Sequence, residues 1–518
     1  MVDTPHAHTG ADPLSNNPAP VAADGPQSPA SAAALGGQVR RAVFWRTGTQ
    51  ILSQVISWGA TLIVIRLLAP ADYGLFAMAQ VMMTFLDFLN GYGFASALIQ
   101  SKEVSKHAIR QALGLAMLMN GSIALLQYSL ADHVAAYYGK PEVADILHVL
   151  AFIYCATPFI IVPEVMLSRS LEFRKQAIVN LSSAMIAASV SLGCALMGYG
   201  VWTLVYAPMA LFACRAIGLT IAARLFILPS FDFRGAGSIL KFGAAMMGSH
   251  LFWVMQSQSD IFIAGRQVSA HQLGLYAEAL FLTQLVMSKF VPPLNQVAFP
   301  AYSRMQDDRA AVRRYFVNTM QIIMLATAPI FIGIAASARP LVLVLFGEKW
   351  LDMAPLMHVL GLAMPLMTAQ ILFAPVNNAL GRPDISMKTS ACGAIIFTAA
   401  FLFGARAGVT GLTFGWLCSA PVLLGVTIYM GRSLNGVGYR DVLGAIAPAI
   451  GCALAMGALV WGLDRLIAGS LSAPLHLGLL IGTGGAFYAA LVWMFQRQTL
   501  LGLIALIRNK QLPEQSPG

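Results

Sequence analysis

Long apolar stretches dominate the chain, and short polar joints interrupt them at near-regular intervals. Runs of spanning length fall at 43–66, 75–99, 111–131, 146–168, 177–198, 201–224, 240–264, 275–301, 316–337, 354–379, 387–406, 409–431, 442–463 and 474–496. Each holds roughly the ~20 mainly apolar residues that a helix needs to cross hydrocarbon. The runs are continuous rather than alternating, which argues against a β-barrel. The pattern predicts an all-α polytopic membrane protein with about fourteen transmembrane helices. The joints at 198–201 and 406–409 are tight, and glycines in "GYGV" and "AGVTG" mark them.

The basic residues give this pattern a direction. With the N-terminus inside, 23 of the 32 lysines and arginines fall on inner segments and 7 on outer ones, leaving Arg215 and Lys289 within helices. That asymmetry is the positive-inside rule, and removing one helix would spoil it. Both termini are therefore expected in the cytoplasm.

Composition agrees. The chain is 58% hydrophobic and 10% charged, with a mean hydropathy of +0.70; soluble domains carry about 25% charged residues. The net charge of +10 does not point to nucleic acid, because the basic residues are scattered among apolar runs. The six cysteines sit in or beside those runs without CxxC spacing, as small packing residues would. Residues 1–38 are rich in Pro, Ala, Ser and Gly and read as a disordered cytoplasmic tail. They lack the basic start and apolar core of a cleaved signal.

A distant repeat organises the helices. "RLLAPADYGLFA" at 66–77 is echoed by "RQVSAHQLGLYA" at 266–277, pairing Arg66 with Arg266 and Gly74 with Gly274. "GVWTL" at 200–204 and "GVTGL" at 408–412 form a second echo. Each copy holds six helices, an even number, so the two face the same way. This is a parallel repeat about an axis along the membrane normal. The expected organisation is a first lobe over 39–235, a second over 236–435, an extra helix pair over 436–498 and a cytoplasmic tail over 499–518. Paired six-helix lobes are a transporter arrangement, with cargo bound between them near the midplane.

Intramembrane charge costs roughly 2.5–3.5 kcal/mol per residue on insertion scales, so each instance requires a reason. The deepest charges are Asp87, Arg215, Asp260 and Lys289, with Glu164, Arg46 and Glu278 nearer helix ends. One reading is a cavity whose cations receive an anionic headgroup; the other pairs Asp87 or Asp260 with Arg215 or Lys289 as neutral ion pairs. Pro292 and Pro293 follow Lys289 and suggest a bend there. Arg66 and Arg266 read as snorkelling or carbonyl-capping residues. Tyr92, Trp58, Trp253 and Gln256 are candidates for sugar contact. There is no GxxxxGK[ST] sequence to bind ATP, no long loop to carry an enzyme site and no metal-ligand cluster.

The stretches "RLLAPADYG" at 66–74, "GFASALIQ" at 93–100, "EVMLSRSLEFRKQA" at 164–177 and "LVLVLFGEKWLDMAPLMHVL" at 341–360 resemble polysaccharide exporters of the Wzx type. These belong to the multidrug/oligosaccharidyl-lipid/polysaccharide superfamily, and the nearest branch is the one like colanic-acid exporters. The resemblance implies a flippase, a transporter and not an enzyme. It would move undecaprenyl-diphosphate-linked oligosaccharide across the bacterial inner membrane by alternating access, for exopolysaccharide, capsule or lipopolysaccharide synthesis. Lys289, Arg215 and Arg46 would then compensate the diphosphate. Asp87, Asp260 and Glu164 would supply counter-charge, or proton or sodium coupling in place of any cofactor. Polysaccharide polymerase and chain-length machinery are the implied partners, and nucleic acid is not. The alternatives are a cation-coupled drug exporter, which wants an acid-lined cavity without central cations, and a membrane polymerase or ligase.

Overall fold

The computed structural model describes residues 29–87, 106–231, 237–467, 469 and 471–501. Among them every regular element is a helix. In chain order these are α1 (Pro29–Leu67), α2 (Pro70–Asp87), α3 (Lys106–Tyr138), α4 (Glu142–Arg169, in three closely joined pieces), α5 (Phe173–Leu196), α6 (Trp202–Ala223), α7 (Gly237–Ala264), α8 (Ala270–Arg304), α9 (Arg309–Ala336), α10 (Glu348–Ala379), α11 (Pro383–Gly404), α12 (Gly408–Asn435), α13 (Tyr439–Leu466) and α14 (Ala473–Phe495). A short helix, Ala338–Leu345, precedes α10. Among the described residues ten stretches are long and apolar enough to cross a membrane, and the chain is a multi-pass membrane protein.

Helix α1 begins at Pro29, inside the segment read as tail. The run "PASAAAL" carries alanines, the strongest helix formers, so propensity extends the helix beyond its apolar part. The two tight joints are built on left-handed glycines, Gly198 (φ 77°), Gly200 (φ 55°) and Gly408 (φ 70°), a conformation that side chains with a Cβ resist. Along the helices, hydroxyls turn back onto their own backbone; Thr283, Thr327 and Thr368 each donate to the carbonyl four residues earlier. This satisfies polar groups where no water is present. Large apolar side chains such as Leu125, Ile395 and Phe403 face outward, as lipid allows.

The two chain halves meet where the repeat predicts a correspondence. Helices α2 and α8 start 200 residues apart, at Pro70 and Ala270. They cross so closely that a Cβ on Gly74 would strike the Ala270 carbonyl, while one on Gly274 would strike that of Pro70. The contact is reciprocal, each glycine facing the first residue of the other helix. Only glycine permits such an approach of two backbones.

Further contacts across the halves gather at the same end. Arg66 donates to the carbonyls of Val344 and Leu345, so it caps the end of a helix in the other half. Arg266 answers from the second half, its guanidinium 5.5 Å from the ring centroid of Tyr137 in α3. Trp350, fully buried, donates its indole N–H to the Ile65 carbonyl at 3.0 Å, satisfying an otherwise orphaned acceptor in the last turn of α1. Tyr137 stacks on Phe262 with centroids 4.7 Å apart. One continuous apolar core, including Ile65, Tyr73, Tyr276 and Trp350, runs through both halves here. A second core lies within the later half, where Arg313 and Asp441 join α9 to α13 by bonds of 2.5 and 3.0 Å.

Gly274→Ala is expected to force the crossing helices apart at a cost of about 1–3 kcal/mol, seen as a lower thermal midpoint in detergent. Gly121→Ala, with open space around the added methyl, is expected to leave that midpoint unchanged or slightly raised.

Candidate functional site

Helix α8 carries Lys289 into the space between the halves. Its Nζ donates to Gln54 Oε1 on α1 at 3.2 Å and lies 5.4 Å from the centroid of the Trp58 ring. Gln54 and Trp58 are four residues apart, so one face of α1 presents an amide and an indole to this cation. No carboxylate is paired with it among the described residues. Helix α8 continues through Pro292 and Pro293. Those prolines lack the N–H groups that would bond the carbonyls of Ser288 and Lys289, adding exposed acceptors at the level of the lysine.

Arg215 occupies a different environment. It projects from α6 into a cavity of about 360 Å³ within the first half, and its Nη2 lies 3.3 Å from Glu164 Oε2 on α4. Helix α1 lines the cavity with Thr49, Ser53 and Ser57, spaced four apart on one face, and α5 adds Gln176 and Asn180. Gln176 is held in place by donating to the Glu164 carbonyl and to Ser168 Oγ at 2.8 and 2.9 Å. Arg215 Nε and Asn180 Oδ1 are buried and have no hydrogen-bond partner among the described residues.

The carboxylates do not pair as expected. Asp260 is wholly buried between helices of the second half, where it accepts 2.6 Å and 2.7 Å bonds from the Tyr276 hydroxyl and the Ile261 N–H. Trp416 completes the group, donating to the Tyr276 oxygen at 2.8 Å. Asp87, at the end of α2, lies beside Tyr154. Neither acid reaches Arg215 or Lys289, whose described partners are Glu164 and Gln54. Glu278 is buried near the start of α8, with Oε2 unpartnered among the described residues.

The proposed sugar contacts separate as well. Trp253 is about half exposed on α7, whereas Gln256 is buried with its side-chain oxygen against Gly393 of α11. Gln256 thus fills a gap between helices. The side chain of Arg46 and all of Tyr92 lie outside the described residues. The polar face of α1 was missed on sequence, although its signal is present: Thr49, Ser53 and Ser57, with Gln50 and Gln54 alongside, interrupt an apolar helix every fourth residue.

The chain has an all-helical membrane fold whose halves meet at one end. Solved structures share it. The lipid II flippase MurJ, in an inward closed conformation, aligns with a TM-score of 0.68 at 12% identity, over 88% of this chain and 99% of that one. An inward-facing multidrug resistance transporter of the MATE family aligns at 0.57 with 15% identity, over 74% and 95%. Residues 63–355, more than half of the sequence, match the family model described as "Polysaccharide biosynthesis protein", and the chain belongs to that family. It is similar to the succinoglycan biosynthesis transport protein ExoT of Rhizobium meliloti (strain 1021), 24% identical over 91% of this chain and 96% of the relative. It is also similar to the teichuronic acid biosynthesis protein TuaB of Bacillus subtilis (strain 168), 24% identical over 79% and 85%.

Removing one member of the Arg215–Glu164 pair strands the other in a half-buried site. Glu164→Ala and Arg215→Ala are each expected to lower the thermal midpoint, and the double variant to lower it by less than their sum. A thermodynamic cycle should return a coupling of about 1 kcal/mol.

Proposed function

We propose that the protein flips a polyprenyl-diphosphate-linked oligosaccharide from the inner to the outer leaflet of a bacterial inner membrane. The reading rests chiefly on Lys289: among the described residues this cation meets a neutral amide and the Trp58 ring rather than a carboxylate, and is poised for an anion. A diphosphate supplies about two negative charges and several acceptors, and charge-assisted bonds to it are stronger than the bond to Gln54 that they replace. The relatives' roles in polysaccharide assembly supply the sugar part of the cargo.

In this reading residues 39–235 and 236–435 are two lobes, with 436–498 as an added helix pair and both termini cytoplasmic. The end bearing Arg66 and Arg266 faces outward and is closed, while the interior around Lys289 receives cargo from the cytoplasmic side. Rocking of the lobes then exposes the head outward while the tails stay in lipid. With the cell interior negative, outward movement of anionic charge gains about 2.3 kcal/mol per charge per 100 mV. The Asp260–Tyr276–Trp416 group is the candidate for proton or sodium coupling, since its carboxylate is held ready inside the second lobe. Polymerase and chain-length machinery would take up the product.

The test is flipping of labelled undecaprenyl-diphosphate oligosaccharide in proteoliposomes. Imposing a potential that drives anions along the transport direction is expected to raise the rate several-fold, and Lys289→Ala to lower it about tenfold, a loss of ~1.4 kcal/mol. Equal rates with and without the potential refute potential-assisted movement. Full activity of Lys289→Ala refutes the role of the lysine.

A further inference from the structure

The two intramembrane cations lie in unlike settings, which suggests that they serve unlike parts of one cargo. Glu164 stands 3.3 Å from Arg215, so the cavity in the first half carries one positive and one negative group and no net charge from that pair. It has little to offer a dianion. Its remaining polar lining is hydroxyl and amide, chiefly Thr49, Ser53 and Ser57 from α1 with Gln176 and Asn180 from α5, and Phe173 and Leu211 add apolar faces.

Two buried atoms without partners sharpen the choice of ligand. Arg215 Nε is a donor and Asn180 Oδ1 is an acceptor. A phosphate or carboxylate accepts only, and would leave Asn180 Oδ1 unmatched. A metal ion binds acceptors only and would be repelled by the arginine. An acyl or prenyl tail matches neither. A sugar hydroxyl both donates and accepts, so a ring bearing several hydroxyls can satisfy both atoms. The volume of about 360 Å³ lies in the range of small-ligand pockets, ~300–1,000 Å³.

Helix α1 connects this cavity to Lys289. Ser53 lines the cavity, and the next residue, Gln54, bonds the lysine. Ser57 and Trp58 repeat the arrangement one turn later. Consecutive helical residues point about 100° apart, so the polar lining and the lysine occupy adjacent faces of α1.

We propose that the cavity lined by Ser53, Ser57, Asn180 and Arg215 binds a neutral sugar ring, the one next to the diphosphate, while Lys289 holds the phosphates. The assignment rests on the flippase reading and adds to it a division of the head between two subsites.

The test uses the full chain in lipid nanodiscs and two probes, undecaprenyl diphosphate and undecaprenyl-diphospho-glucose. The wild type is expected to bind the glucosylated lipid about fivefold more tightly, the worth of one or two net hydrogen bonds. Asn180→Leu should bring that ratio near one and leave affinity for the bare lipid within about twofold. The milder Ser53→Ala/Ser57→Ala variant should do the same, and it guards against a folding defect in the first. Lys289→Ala should weaken both lipids by the same factor. A wild type without preference for the glucosylated lipid overturns the sugar subsite and leaves the flippase reading standing. So does an Asn180→Leu variant that weakens both lipids equally, which would assign the cavity to phosphate. A wild type that binds neither lipid overturns the flippase reading, and the subsite with it.

Discussion

The close crossing of α2 and α8 is the constraint on which the rest of the architecture depends. Gly74 and Gly274 bring two backbones into contact, each against the opening residue of the other helix. No side chain interlocks at that point. Around it, Arg66 and Trp350 bond to backbone carbonyls of the opposite half, and the buried Trp350 ring packs edge-on against Tyr73 of α2. Further along α8, Lys289 reaches across to Gln54 and Trp58 of α1.

Within that frame each intramembrane charge is stabilised in its own way. Arg215 is neutralised by Glu164 inside one half. Asp260 is solvated by a hydroxyl, a backbone N–H and an indole, three fixed dipoles in place of water. Among the described residues Lys289 meets an amide oxygen and the face of an indole. A neutral partner for a lysine at such depth is a weak substitute for hydration. The difference separates the paired charges Arg215 and Asp260 from Lys289, and burial follows the same order, Asp260 fully buried and Lys289 exposed.

Much of this was legible in the sequence, and the failures have physical causes. The apolar runs gave the helices, and the glycine-marked joints proved to hold left-handed glycines. The echo at 66–77 and 266–277 became a physical meeting of its own copies, since residues at equivalent places on a pseudo-twofold axis face each other. Pairing was harder. Arg215 and Lys289 were grouped as cations of one cavity because both lie deep, yet depth says nothing about direction around a helix. Asp260 was offered a cationic partner because charge is the obvious remedy for charge; the structure uses Tyr276 and Trp416, whose donors look like ordinary packing residues in a linear reading. Gln256 was a candidate for sugar contact and instead fills the gap beside Gly393. The polar face of α1 escaped notice because single serines and threonines in membrane helices usually bond their own backbone, and only the spacing of Thr49, Ser53 and Ser57 distinguishes a lining from such isolated cases.

The contacts at the closed end also bear on how the halves separate. An interface of interdigitated large side chains resists sliding, because each shift empties one pocket and overfills another. At the glycine crossing backbone meets backbone, and the bonds from Arg66 and Trp350 end on carbonyls, which water can serve once the halves part. The free energy lost on opening is therefore mainly the apolar contact near Tyr73 and Tyr276, the part of the core shared by both halves. A transporter needs two states within a few kcal/mol of each other. Backbone contact ringed by replaceable hydrogen bonds meets that requirement more readily than a jigsaw of side chains would, and it explains why the repeat retains small residues at the two positions where its copies touch.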